Sequence, residues 1–217
     1  MPKVSACLIT FNEVRNIEAC LKTLNFADEI VVVDSGSTDG TVEICKRFTE
    51  RVFVMDWAGH VAQKNRAIDR ASNDWVFCID ADERVSEALA AEIKEILKEE
   101  PPFAGYTVPR LTWYAGKWIR HGGWYPDRKL RLFDRTRGRF TGEDPHDRVE
   151  VRGPVGKLRS DLLHYSYRDI AHHIQQINRY TSTMAKLKAS RGVGMPILRM
   201  LSFPVAKFLK MYFLRMG

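Results

Sequence analysis

Val76-Phe77-Cys78-Ile79-Asp80-Ala81-Asp82-Glu83 is the stretch on which the reading of the chain turns. A short apolar run bounded by polar residues reads as a buried strand, and this one ends in two carboxylates one residue apart. At the C-terminal edge of an open α/β sheet, side chains leave the core and meet ligand. Period-two geometry sends Asp80 and Asp82 to the same side, where both could reach one hard cation that also holds phosphate oxygens. Taken alone, the pair reads equally well as a strand end that caps the next helix. The upstream sequence tips the balance towards chemistry.

Upstream, Val4–Thr10 reads as a first strand, and Ile17, Cys20, Leu21 and Leu24 form a helical stripe over 16–24. A second strand over 29–34 carries Ile30-Val31-Val32-Val33. The turn 35–40 supplies N-cap residues for a helix through Phe48. A third strand over 51–55 and a helix over 61–71 precede the strand at 76–80. Strands alternating with helices, each strand a continuous apolar run, predict a mixed, mainly parallel sheet of α/β class with helices on both faces.

Downstream the pattern changes. A helix over 86–99 is stopped by Pro101-Pro102. Residues 103–165 are rich in aromatics, Arg and Gly, with strand-like pieces at 104–110 and 129–134, and read as antiparallel strands and loops. Helices are expected over 167–189 and 195–216. The division expected is a first half over 1–100, a second half of the same domain over 101–166, and C-terminal helices over 167–217.

The 217 residues carry a formal charge of +7, split unevenly: −7 over 1–100 and +14 over 101–217, with no acid after Asp169. Such a basic half favours an anionic partner. Cys7, Cys20, Cys45 and Cys78 lack Cys-x-x-Cys spacing and read as buried small hydrophobes, not zinc or redox ligands. Met1-Pro2-Lys3 runs straight into a strand with no signal-peptide pattern, so a cytoplasmic location is expected.

Strand one finishes in Thr10-Phe11-Asn12-Glu13 and strand two in Asp34-Ser35-Gly36-Ser37. Neighbouring parallel strands then present a ring, an amide and two carboxylates at one sheet edge. A carboxylate there can accept from a pyrimidine N–H or from ribose hydroxyls. Phe11 reads equally as base-stacking or as core. Asp34 reads as a ligand group more than as a turn cap, since Ser37 and Asp39 can already cap. There is no Gly-x-Gly-x-x-Gly after strand one and no Gly-Lys-Ser/Thr phosphate loop, which disfavours a dehydrogenase and leaves a cation on the Asp-x-Asp as the natural diphosphate holder.

These stretches, with Gln63-Lys64-Asn65 in the third helix, resemble a family 2 glycosyltransferase. Trp124-Tyr125-Pro126-Asp127, Lys129-Leu130-Arg131-Leu132-Phe133 and Leu163-His164-Tyr165-Ser166-Tyr167 are similar to the bacterial inner-core lipopolysaccharide β-glucosyltransferase group. The resemblance implies a GT-A (Rossmann-like) fold, a UDP-sugar donor, a divalent cation (Mg²⁺ or Mn²⁺) and inversion at the anomeric carbon. By position, it implies that Thr10, Phe11, Asn12, Glu13 and Asp34 hold the uridine, with Lys64 also on the nucleotide-sugar. Asp82 would be the principal metal ligand, and Asp80 would sit on the ribose or on metal-bound water.

Inverting transfer needs a carboxylate to take the acceptor hydroxyl's proton. Gly142-Glu143-Asp144-Pro145-His146-Asp147-Arg148 is the best stretch for it. Asp147 stands where the group has a Glu after His, and Asp144 is the alternative. Lys129 and Arg131 could add charge near the leaving diphosphate or pair with surface carboxylates. His164, a lone His beside aromatics, reads as packed core and not as a metal ligand; His172-His173 reads as surface.

Met195–Met216 reads as a basic amphipathic helix lying in a membrane interface, with Pro204 kinking it or restarting it after Ser202. Packing on the domain or on a second subunit is the competing reading. The expectation is a hexosyltransferase, moving a hexose such as glucose to a lipid-borne saccharide such as lipopolysaccharide core, peripheral on the inner face of the cytoplasmic membrane. An Asp-x-Asp phosphatase is the rival enzyme, but its motif belongs after a first strand; a non-catalytic sugar-nucleotide-binding relative is a further alternative, separable only by turnover. Nucleic acid is not expected as a partner, because acidic site residues interleave the aromatics.

Overall fold

A computed structural model of the chain describes residues 2–143, 146–190, 192 and 197–216. Its first part runs β1 (Val4–Thr10), α1 (Ile17–Leu21), β2 (Glu29–Asp34), α2 (Thr41–Lys46), β3 (Val52–Val54), α3 (His60–Asp69) and β4 (Trp75–Asp80). β1 lies between β2 and β4, parallel to both, and β3 adds in parallel beyond β2. The register pairs Thr10 with Asp34 and Ile9 with Asp80, so the ends of three strands meet at one C-terminal edge.

Alternation along the strands fills both faces. Ala6, Leu8, Phe77 and Ile79 pack with Ile17, Leu21 and Leu24 on one side. Cys7, Val31, Val33 and Cys78 pack with Ala67 and Ile68 of α3 on the other. Each side chain of Leu or Phe size that is fully buried contributes roughly 1.5–3 kcal/mol. That is why these strands read as unbroken apolar runs. All four cysteines are buried free thiols.

After Asp80 the chain turns at Ala81-Asp82 and forms a short strand, β5 (Glu83–Val85), before α4 (Glu87–Ile96). The sequence passes over β5, because three residues are too few to show a period. Ser86 caps α4, its Oγ accepting from the Leu89 N–H at 3.2 Å. There follow β6 (Gly105–Tyr114), β7 (Lys117–Ile119), β8 (Asp127–Asp134), β9 (Gly138–Glu143), β10 (His146–Val151), β11 (Val155–Lys157) and β12 (Leu162–His164). The main sheet has the order β3-β2-β1-β4-β8-β6-β12-β5, with β7 and β11 also paired to β6. β8 joins β4 antiparallel, β12 joins β5 antiparallel, and β9 and β10 form a separate hairpin.

The chain groups into two compact units, 1–110 with 128–164 and 111–127 with 165–217. The first holds the sheet apart from its β6–β7 end, and every candidate site residue named above that the structure describes. The second holds the β6–β7 hairpin end, α5 (Ile170–Ser190), α6 (Ile197–Leu209) and a π-helical turn at Lys210–Leu214. Within it Tyr114, Trp124, Tyr167 and His173 form an aromatic cluster. His173 stacks on Tyr167 at 4.0 Å with Nδ1 2.9 Å from the Tyr114 hydroxyl, which corrects the reading of His173 as a surface residue. α6 also runs through Pro204 without stopping or restarting at Ser202. The helix is exposed there, so water can take the Met200 carbonyl that proline leaves without its N–H.

Candidate active site

The loops after β1 and β2 are laced together by side chains. Thr10 Oγ1 and Ser37 Oγ donate to Asp34 Oδ2 at 2.7 and 2.5 Å. Asp34 Oδ1 accepts from the Gly36 and Ser37 N–H groups at 2.9 and 2.7 Å. Asn12, in left-handed conformation at φ +54°, accepts from the Thr38 N–H and donates its own N–H to Ser37 Oγ. Asp34 is fully buried, so capping the loop, the role placed second in the sequence, is what its oxygens do here. It is the floor under the rim.

On that rim Phe11 is 56% exposed, which removes the core-packing alternative and leaves a ring face open to ligand. Glu13 Oε2 accepts from Asn16 Nδ2 at 2.9 Å. Burial, together with the negative fields of Asp82 and Asp39, lifts the Glu13 carboxyl above its ordinary range despite that bond.

Beside the rim runs a line of alternating charge. Glu83 Oε1 accepts from Arg131 Nη2 at 2.6 Å, and the same nitrogen donates to Asp80 Oδ2 at 2.7 Å. Asp80 Oδ1 lies 3.2 Å from Lys64 Nζ, which is 2.9 Å from Asp147 Oδ2. Burial pushes the Asp80 carboxyl up, but the Arg131 and Lys64 charges outweigh it and hold the group well below the usual carboxylate range. Burial likewise pulls Lys64 down, and Asp80 and Asp147 more than restore it, even against Arg131. Arg131 is therefore no surface charge: it is buried, and it neutralises two carboxylates at the sheet edge.

The turn at Ala81-Asp82 breaks the period-two argument for one shared cation. Asp80 is held by the two cations, whereas Asp82 Oδ2 faces His164 Nε2 at 3.3 Å. β12 pairs with β5 in a register that sets His164 opposite Glu83, one residue beyond Asp82. His164 is buried, as the sequence suggests, yet it is also the side chain delivered to Asp82. Sequence separation hides this pairing, and only the β5–β12 ladder reveals it. Among the described residues no group of three or more His, Cys, Asp or Glu side chains is placed to hold a metal.

Each residue of Gln63-Lys64-Asn65 in α3 has a separate task. Gln63 is buried and donates to Ser35 Oγ at 2.9 Å, fixing α3 against the loop after β2. Lys64 bridges Asp80 and Asp147. Asn65 exchanges two 3.0 Å hydrogen bonds with the Phe140 backbone, clamping β9. Because β9 pairs with β10, that clamp also positions Asp147, which lies opposite Gly142. Asp144 lies outside the described residues.

The chain matches Glycosyl transferase family 2 over residues 5–153. It is 31% identical to a lipopolysaccharide core biosynthesis glycosyltransferase of Rhizobium meliloti (strain 1021), over 98% of this chain and 82% of that protein. It is 32% identical to an uncharacterized glycosyltransferase of Rickettsia felis, over 99% of this chain and 80% of that protein. A mannosyltransferase from Pyrobaculum calidifontis, solved in complex with GDP-Man and Mn²⁺, superposes with a TM-score of 0.57 at 19% identity, over 82% of this chain and 61% of that one. The mixed, mainly parallel sheet with helices on both faces is thus that of the GT-A fold. A phosphatase reading of the Asp-x-Asp is set aside, and the chain belongs to glycosyltransferase family 2.

Proposed function

We propose that this glycosyltransferase moves a hexose, glucose by preference, from a UDP-sugar to a lipid-borne saccharide of the lipopolysaccharide-core type, with inversion. The observation that carries the reading is the convergence at one sheet edge of an exposed ring (Phe11), an Asp82–His164 pair, and the Asp80–Lys64–Asp147 bridge. In this reading residues 1–100 serve the donor, and 101–166 bring the acceptor side.

Phe11 would stack on the uracil while Glu13 and Asn12 meet base or ribose, on a loop that Thr10 and Asp34 hold rigid. Asp80 would approach the ribose from its position between Lys64 and Arg131. Asp82 and His164 would hold a divalent cation, Mg²⁺ or Mn²⁺. The pair fits: neighbouring ligands of an octahedral ion at roughly 2.1 Å lie about 3 Å apart, close to the separation of Oδ2 and Nε2. An ion of this kind takes one or two protein ligands and completes its shell with diphosphate oxygens. When bound, it supplies positive charge against the leaving diphosphate. The Mn²⁺ in the Pyrobaculum calidifontis complex is a precedent on this fold.

Asp147 is the proposed general base. Lys64 grips Oδ2 and would leave Oδ1 turned to the acceptor hydroxyl, whose proton it takes as the oxygen attacks the anomeric carbon. Asp144 is the alternative base. The name of the Rhizobium meliloti relative supports a lipopolysaccharide acceptor, and hence work at the cytoplasmic face of the inner membrane without any nucleic-acid partner. Nucleotide sugars offered in turn, with and without Mg²⁺ or Mn²⁺, test the donor. Cation-dependent release of UDP from a UDP-hexose is expected, and turnover of only GDP- or CMP-sugars would overturn the donor assignment.

A further inference from the structure

The exposed face of the second unit carries more apolar surface than a water-soluble protein leaves unexplained. On α5, Ile170, Ile174, Ile177 and Tyr180 follow at spacings of four, three and three and are each 46–59% exposed. On α6 and the π-helical turn, Leu201, Phe203, Val205, Phe208, Phe213 and Leu214 are each 59–79% exposed. Six such side chains present on the order of 600 Å², the upper end of the largest apolar patch found on a monomer, and patches of that size are often functional. Apolar surface of this extent marks an interaction site.

Charge says what. Residues 170–217 contain eight Lys or Arg and no Asp or Glu. Lys207, Lys210 and Arg215 line one groove together with Phe203, Ala206 and Met211. The groove is not a frayed end, because the Gly122 N–H donates to the Arg215 carbonyl at 2.8 Å and pins the last turn to the 121–124 loop. A second copy docking through the same groove would press Lys207, Lys210 and Arg215 against their like. No described helix is long and apolar enough to cross a membrane.

We propose that α5, α6 and the π-helical turn form a docking surface for an anionic phospholipid bilayer, with headgroup phosphates seated among Lys207, Lys210 and Arg215. The apolar side chains enter the acyl boundary while the lysine stems reach back to the headgroups. Neither apolar insertion nor charge alone holds a protein firmly at a bilayer; here both act on one surface. The inference deepens the lipid-borne-acceptor reading and rests on it for its purpose, although its measurement does not involve sugar transfer.

The test is flotation of the full chain with phosphatidylcholine vesicles containing 0 or 30% phosphatidylglycerol. Binding should rise steeply with phosphatidylglycerol and fall as salt is raised. The double change Lys207→Gln/Lys210→Gln should weaken partitioning roughly 30-fold, at about 1 kcal/mol per charge. Phe208→Ser/Phe213→Ser should abolish it, and since all four side chains are exposed these variants should keep the parent's melting temperature. A parent chain that stays in solution with anionic vesicles at low salt overturns the proposal. So does a concentration-dependent dimer that Phe208→Ser/Phe213→Ser dissolves and vesicles do not. UDP binding, measured on the same samples without lipid, separates the two readings: its loss with docking intact indicts the donor site alone.

Discussion

Replacing Arg131 by Leu tests whether the charge line at the sheet edge acts as one unit. Arg131 Nη2 serves both Glu83, which is fully buried, and Asp80, whose side chain keeps 30% of its exposure. Leucine would leave Glu83 with the longer Arg110 contact at 3.4 Å and the Asp80 N–H at 3.0 Å. Stripping one partner from a buried ion pair costs about 3–5 kcal/mol. The Asp80 share is screened by water, so the lower figure, roughly 3 kcal/mol, is the better expectation. With an urea m-value of about 2 kcal/mol/M, the unfolding midpoint should fall by about 1.5 M at pH 7. Because Asp80 is depressed in the folded state, its stabilisation is present above the unfolded carboxylate range and lost as pH falls through the folded value. The gap between parent and variant should therefore narrow on acidification below about pH 4. Arg131→Lys should recover only part of it, since an ammonium lacks the fork that reaches two carboxylates. A midpoint within 0.3 M of the parent's (well under the ~1.5 M expected), or a gap that ignores pH, would refute the reasoning.

Three further outcomes are expected. Asp147→Asn should lower the transfer rate by about 10²–10⁴-fold while donor affinity is kept, and a dead Asp144→Asn beside a near-normal Asp147→Asn would reverse the two roles. Asn65→Ala removes both hydrogen bonds to Phe140 and should cost about 1–3 kcal/mol, with faster amide exchange along β9 and β10; unchanged exchange there would show that the clamp is idle. Glu13→Gln should weaken UDP binding yet melt no lower than the parent at pH 7. The raised carboxyl of Glu13 means that its ionised form costs stability at neutral pH, a cost relieved as pH falls through the raised value. A lower melting temperature at pH 7 would contradict that sign.

The strands at 4–10, 29–34 and 75–80 are legible because both of their faces are buried, so nearly every residue is apolar. Their ends at Thr10, Asp34 and Asp80 are legible for the same reason, since the edge is where the apolar run stops. What lies beyond the edge depends on long-range pairing. β5 is three residues long, and its partner β12 lies about eighty residues on, so no local period announces that His164 comes to Asp82. Arg131 alternates with apolar neighbours on β8 and looks like a solvated position. It is buried because Asp80 and Glu83 arrive from another strand to take its charge. Asp34 shows the reverse case: a carboxylate at the expected place, with its oxygens already engaged by its own loop.

The most direct measurement is calorimetric titration of UDP into the full chain in Mn²⁺ and in EDTA, repeated with Asp82→Asn and His164→Ala. Cation-dependent binding by the parent is predicted, with both variants folded and their Mn²⁺-dependent gain in affinity lost. Equal UDP affinity in Mn²⁺ and in EDTA, or an Asp82→Asn protein that keeps the full Mn²⁺ effect, would contradict a donor site built on the Asp82–His164 pair.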